Sequence, residues 1–103
     1  MKTILDIIGA PAALEQCAEE CSELAQACLK LARKLRGENP TPKDESALYA
    51  ALEEEIADVY LCLEVVKEYM LQFFDGDEYE YEDKLDMIAV GKYNRWLGRL
   101  EEK

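Results

Sequence analysis

The chain has no histidine. That removes the Glu-x-x-His ligand pairs through which four-helix carboxylate proteins hold two irons. Basic residues are scarce as well, with 12 Lys and Arg against 23 Asp and Glu and a net charge of −11 over 103 residues. A surface this acidic argues against nucleic-acid binding, which rests on neutralising phosphates with Lys and Arg, and against an anionic membrane surface. No apolar run approaches the ~18 residues of a membrane span, and the opening residues from Met1 to Gly9 are too short and interrupted for a signal-peptide core. There is no G-x-x-x-x-G-K-[ST] loop, so a P-loop enzyme is excluded. Alternating strand patterns are missing too. The four cysteines, Cys17, Cys21, Cys28 and Cys62, form no C-x-x-C pair. They are expected to be reduced, small core residues, which places the protein in the cytoplasm.

What the chain does have is helical periodicity. Half of its residues are hydrophobic, and its length suits one domain, residues 1–103. Residues 3 to 8 read as a short helical turn ended by Gly9, and Pro11 suits the first turn of a new helix. From there Leu14, Cys17, Cys21, Leu24, Cys28, Leu31 and Leu35 alternate in threes and fours, a heptad seam that Gly37, Asn39, Pro40 and Pro42 stop. After a loop over 37–43, Asp44 or Ser46 can cap a second long helix. Its face carries Leu48, Leu52, Val59, Cys62, Val66 and Phe73, with the pattern persisting to about Phe74. Asp75-Gly76-Asp77 breaks the chain. It faintly resembles a calcium loop, but the remaining EF-hand positions do not follow. Asp77 with Glu80 has the shape of a capping box instead, opening a last helix from about Glu78 to Glu101 with Leu85, Ile88, Ala89, Trp96 and Leu100 on its apolar side. The expected fold is all-α, three long helices and a short leading one. Such a bundle buries little alone, so dimerisation is expected to complete it.

Two acidic stretches stand out, Glu19-Glu20-Cys21-Ser22-Glu23 and Glu55-Ile56-Ala57-Asp58. Acidic residues three apart share a helical face. At 100° per residue, Glu55 falls in the middle of its helix's apolar stripe and Asp58 at the edge, whereas Glu53, Glu54, Glu64 and Glu68 point away. On the first long helix Glu20 lies close to Leu24, in line with Gln16 and Glu23. Unpaired buried carboxylates are costly, so Glu20, Glu23, Glu55 and Asp58 are expected to meet a cation. An all-oxygen set suits Mg²⁺, Mn²⁺ or Ca²⁺, and Mg²⁺, which works with substrate phosphates, is the default.

Lys92, Arg95 and Arg99 lie at i, i+3 and i+7 on the last helix. Beside an acidic metal cluster, such a stripe suits a polyphosphate–Mg²⁺ complex. Structural pairing of these cations with Glu20 or Glu55 is the other reading.

The motif Glu19-Glu20-x-x-Glu23 followed by Glu55-x-x-Asp58, with the closing Lys92-Tyr93-Asn94-Arg95, resembles the MazG-like all-α nucleoside triphosphate pyrophosphatases from about Gln16 to Arg99. The resemblance implies a homodimer or homotetramer that hydrolyses a (d)NTP between its α and β phosphates, with Mg²⁺ (or Mn²⁺) held by Glu20, Glu23, Glu55 and Asp58. Under it Glu19 orients water, Gln16 reaches metal-bound water or substrate, and Lys92, Arg95 and Arg99 hold phosphates. House-cleaning of unwanted nucleotides is the role such an activity suits. A non-catalytic nucleotide-binding or purely structural helical oligomer is the alternative.

Overall fold

The computed structural model describes residues 1–38 and 44–102. All regular structure among them is helical. Helix α1 spans Ile4–Ile8, α2 Ala10–Arg36, α3 Glu45–Met70 and α4 Glu78–Glu101, with a 3₁₀ turn at Leu71–Phe74. No helix among the described residues is long and apolar enough to cross a membrane. The chain divides into two compact units, residues 1–69 and 70–103.

In the first unit the helix boundaries follow from cap chemistry. Thr3 opens α1 with a reciprocal capping box, its Oγ1 accepting from the Asp6 N–H and its own N–H donating to the Asp6 carboxylate. Gly9, at φ +83°, turns the chain between α1 and α2, a conformation that favours glycine because it has no Cβ. Pro11 sits in the first turn of α2, and Gly37 ends it in the left-handed conformation. Asp44, not Ser46, caps α3, its carboxylate accepting from the Ala47 N–H at 2.9 Å. The predicted loop over 37–43 lies mostly in residues 39–43, outside the described residues.

Helices α2 and α3 pack antiparallel: residues near 16 meet those near 62, and residues near 27 meet those near 51. Ala13, Leu31, Leu48 and Val59 are the buried residues among those described. The α3 face is the predicted one as far as Val66, with Leu48 and Val59 buried and Leu52, Glu55, Cys62 and Val66 half-buried; Phe73, expected on the same face, lies in the 3₁₀ turn beyond α3 and is exposed. The α2 face differs from the expected seam. Ala13, Cys17, Glu20, Leu24, Ala27 and Leu31 turn inward, while Leu14, Cys21, Cys28 and Leu35 stay exposed. The buried stripe is rotated by about 50°, half a residue: Cys17, Leu24 and Leu31 stay on it, while Ala13, Glu20 and Ala27 replace Leu14, Cys21, Cys28 and Leu35. Cys21 and Cys28 are therefore surface thiols, contrary to the core role expected of them.

In the second unit, α3 gives way to the 3₁₀ turn instead of running on to Phe74. Asp75, at φ +52°, and Gly76, at φ +76°, then reverse the chain, and Asp is among the few side chains that tolerate this region. Asp77 caps α4 through the Glu80 N–H (3.1 Å). Only half of the predicted box is made, since the Asp77 N–H goes to the Phe74 carbonyl oxygen (2.8 Å). Phe74 packs edge-on against Tyr81, and Lys84 lies over its ring. No residue of α4 is buried.

Candidate metal centre

Each of the two long helices of the first unit presents one turn of carboxylates to the other. Glu20 and Glu23 lie on α2, Glu55 and Asp58 on α3, and one carboxylate oxygen from each falls within 4.8 Å of the rest. Ligands ~2.1 Å from a shared Mg²⁺ stand at most about 4.2 Å apart, so modest side-chain adjustment brings the four to that spacing. Glu20 and Glu55 are half-buried, Glu23 and Asp58 exposed at the rim.

The polar accounting at this point is incomplete. Gln16, one turn before Glu20, donates from Nε2 to Glu20 Oε1 at 2.9 Å. Glu20 Oε2 and Glu55 Oε2 are enclosed and have no hydrogen-bond partner. Enclosed carboxylate oxygens need a donor or a cation. The donor set is all oxygen, so these residues fit a hard divalent ion of the Mg²⁺ type.

The electrostatics agree with the crowding. The Glu20 carboxyl is pushed above its ordinary value of 4.5, first by burial, then by the charges of Glu23 and Asp58; the Gln16 hydrogen bond opposes this. A carboxyl raised on folding stabilises the native state fully below its unfolded value, and that contribution is lost as pH rises through the folded value. In cation-free buffer, wild-type stability should therefore fall relative to Glu20→Gln as pH rises from about 4.5. Paired urea melts across that window check it; parallel curves would show that the cluster does not strain the fold.

Two cavities flank the cluster. The first, about 180 Å³, is walled by Ile4 and Ile8 of α1, Ala13 of α2, and Leu61 and Val65 of α3, with Gln16, Glu20 and Asp58 along its edge. The second, about 270 Å³, lies on the Glu23–Glu55 side and includes Gln26, Lys30 and Leu48. Cys62 borders the first cavity. Burial, chiefly, pushes its thiol and that of Cys17 upward, so both stay protonated and weakly nucleophilic.

The structure thus brings together Glu20, Glu23, Glu55, Asp58 and Gln16. Glu19 is exposed on α2, outside this group. Lys92, Arg95 and Arg99 are in the second unit, exposed around an open depression shared with Trp96. Within the first unit, Lys30 lines a cavity with Glu23 and Glu55, a cation that the sequence reading passed over. Its signal was present: Lys30 lies seven residues after Glu23, on the same helical line.

Comparison of the chain with protein-family models, curated proteins and solved structures gives no match.

Proposed function

We propose that this protein is a Mg²⁺-dependent nucleoside triphosphate pyrophosphohydrolase. The observation that carries the reading is the meeting of four carboxylates from two helices with enclosed, unpartnered oxygens on Glu20 and Glu55. The reaction adds water to the α phosphorus, breaks the α–β anhydride bond, and releases a nucleoside monophosphate and pyrophosphate. When bound, Mg²⁺ supplies charge neutralisation on phosphate oxygens.

The chain's residues do the remaining work by placement. Gln16 fixes the rotamer of Glu20 through its hydrogen bond, leaving Oε2 facing the cluster. Glu23 and Asp58, at the exposed rim, keep the site open to a ligand from solvent. Lys30 offers a positive charge next to Glu23 and Glu55. Glu19, one position from Glu20, orients water from the rim, and for Lys92, Arg95 and Arg99 of the second unit a phosphate-binding role rests on the resemblance alone. The protein works as a homo-oligomer in the cytoplasm. Support for association comes from the apolar residues exposed on α3 away from α2, Tyr49, Ile56, Tyr60 and Leu63, a stripe that another helix face would cover.

The test is pyrophosphate release from a panel of canonical and modified (d)NTPs in excess Mg²⁺, with Glu55→Gln alongside. Wild type should release pyrophosphate and monophosphate, and the variant should lose at least about a hundredfold. Mg²⁺-dependent binding without turnover would make the protein a nucleotide sensor. Neither binding nor turnover would leave a structural helical oligomer.

A further inference from the structure

Three of the four cysteines gather on the α2–α3 seam, and the carboxylate chemistry uses none of them. Cys17 and Cys21 stand four residues apart on α2, so their side chains share one helical face. Their thiols are within hydrogen-bonding reach of each other. Cys62 comes from α3 and lies close enough to act electrostatically on both. Cys17 and Cys62 are half-buried, and Cys21 is exposed. Two thiols are thus held in the seam and a third stands at the surface, where an ion can enter. Cys28 is exposed as well, but it lies seven residues beyond Cys21, about 10 Å further along the helix.

This trio is a different ligand set from the four carboxylates. Hard ions take oxygen, whereas thiolate sulfur selects borderline and soft ions. The chain has no histidine, so the soft ligands at this point are the three sulfurs. Three protein ligands, with the fourth position left to water, is an arrangement that zinc adopts. The charge fits too. Glu20 and Asp58 act electrostatically on Cys62, and their field favours a divalent ion over a monovalent one. Sulfurs about 2.3 Å from a shared zinc stand about 3.8 Å apart, and the exposed Cys21 has room to turn its sulfur towards the other two.

We propose that Cys17, Cys21 and Cys62 form a zinc site on the α2–α3 seam, distinct from the carboxylate cluster and independent of the nucleotide reading. Binding exchanges three S–H bonds for three Zn–S bonds, and the three protons leave to solvent. The bound ion ties α2 to α3 beside Glu20.

Zinc affinity is measured by competition with a chromophoric chelator, under reducing conditions and with excess Mg²⁺ to occupy the carboxylates. One zinc per chain should bind, and a further tenfold rise in Mg²⁺ should not displace it. Cobalt(II) in place of zinc should show sulfur-to-metal charge-transfer absorption. Cys62→Ser should weaken zinc at least about a hundredfold, the upper end of what losing an outer-shell partner costs, and Cys17→Ser and Cys21→Ser should do likewise. Cys28→Ser should bind as the wild type does. Circular dichroism checks the fold of each variant, and Cys62→Ala replaces Cys62→Ser if the latter is poorly folded. Zinc that Mg²⁺ displaces, cobalt without the sulfur absorption, or equal affinity in wild type and Cys62→Ser would each overturn the proposal. Loss of binding in Cys28→Ser would overturn it also, since that thiol is outside the trio.

Discussion

In buffer stripped of divalent cations, Glu55→Gln is expected to melt at or above the wild type, and excess Mg²⁺ should reverse the order. Four carboxylates within 4.8 Å repel one another, and Glu55 Oε2 is enclosed without a partner. An amide at this position removes one charge and supplies a donor to the remaining carboxylates. The gain disappears once a cation binds, because only the wild type offers the full ligand set. A ligand present at 100 times its Kd stabilises the native state by about 2.7 kcal/mol. For a chain of this size that is more than about 10 °C in Tm. Thermal scans of both proteins with EDTA and with Mg²⁺ measure the crossing. If Mg²⁺ moves neither curve, the acidic cluster is not a metal site.

The second large effect is on the seam itself. Leu48 is 3% exposed and lines the cavity shared with Glu55 and Lys30. Truncation to alanine removes a buried isobutyl group from a unit with very few buried residues, and Leu→Ala at such sites costs about 2–5 kcal/mol. Leu63→Ala, at a position 53% exposed on the same helix, is the matched control and should cost less than about 1 kcal/mol in the monomer. Chemical denaturation at low protein concentration separates the two. Equal costs would mean that the α2–α3 seam is not where the unit is held together.

Much of this arrangement was legible in the residues, and the reason is local chemistry. Gly9, Pro11, Gly37, Asp44 and Asp77 each act within one turn of themselves, so helix limits could be read one cap at a time. The α3 face was legible because its inward residues are large and Glu55 is conspicuous among them. The α2 face was not. Two neighbouring stripes compete there, one of Leu and Cys and one punctuated by Ala13 and Ala27, and periodicity favours the bulkier. Lys30 was hidden for a related reason. A single lysine on a charged helix carries no pattern of its own and gains meaning only beside Glu55, twenty-five residues later. The 3₁₀ turn after Met70 likewise reflects the reversal at Asp75 and Gly76 more than any break in the apolar pattern.

One hairpin, α2 followed by α3, contains every carboxylate of the cluster and most of the walls of both cavities. Selection for this chemistry therefore presses on a single contiguous segment. Substitutions in α4 leave the carboxylate cluster untouched, and the hairpin is the piece to graft when the acidic site is moved onto another helical scaffold.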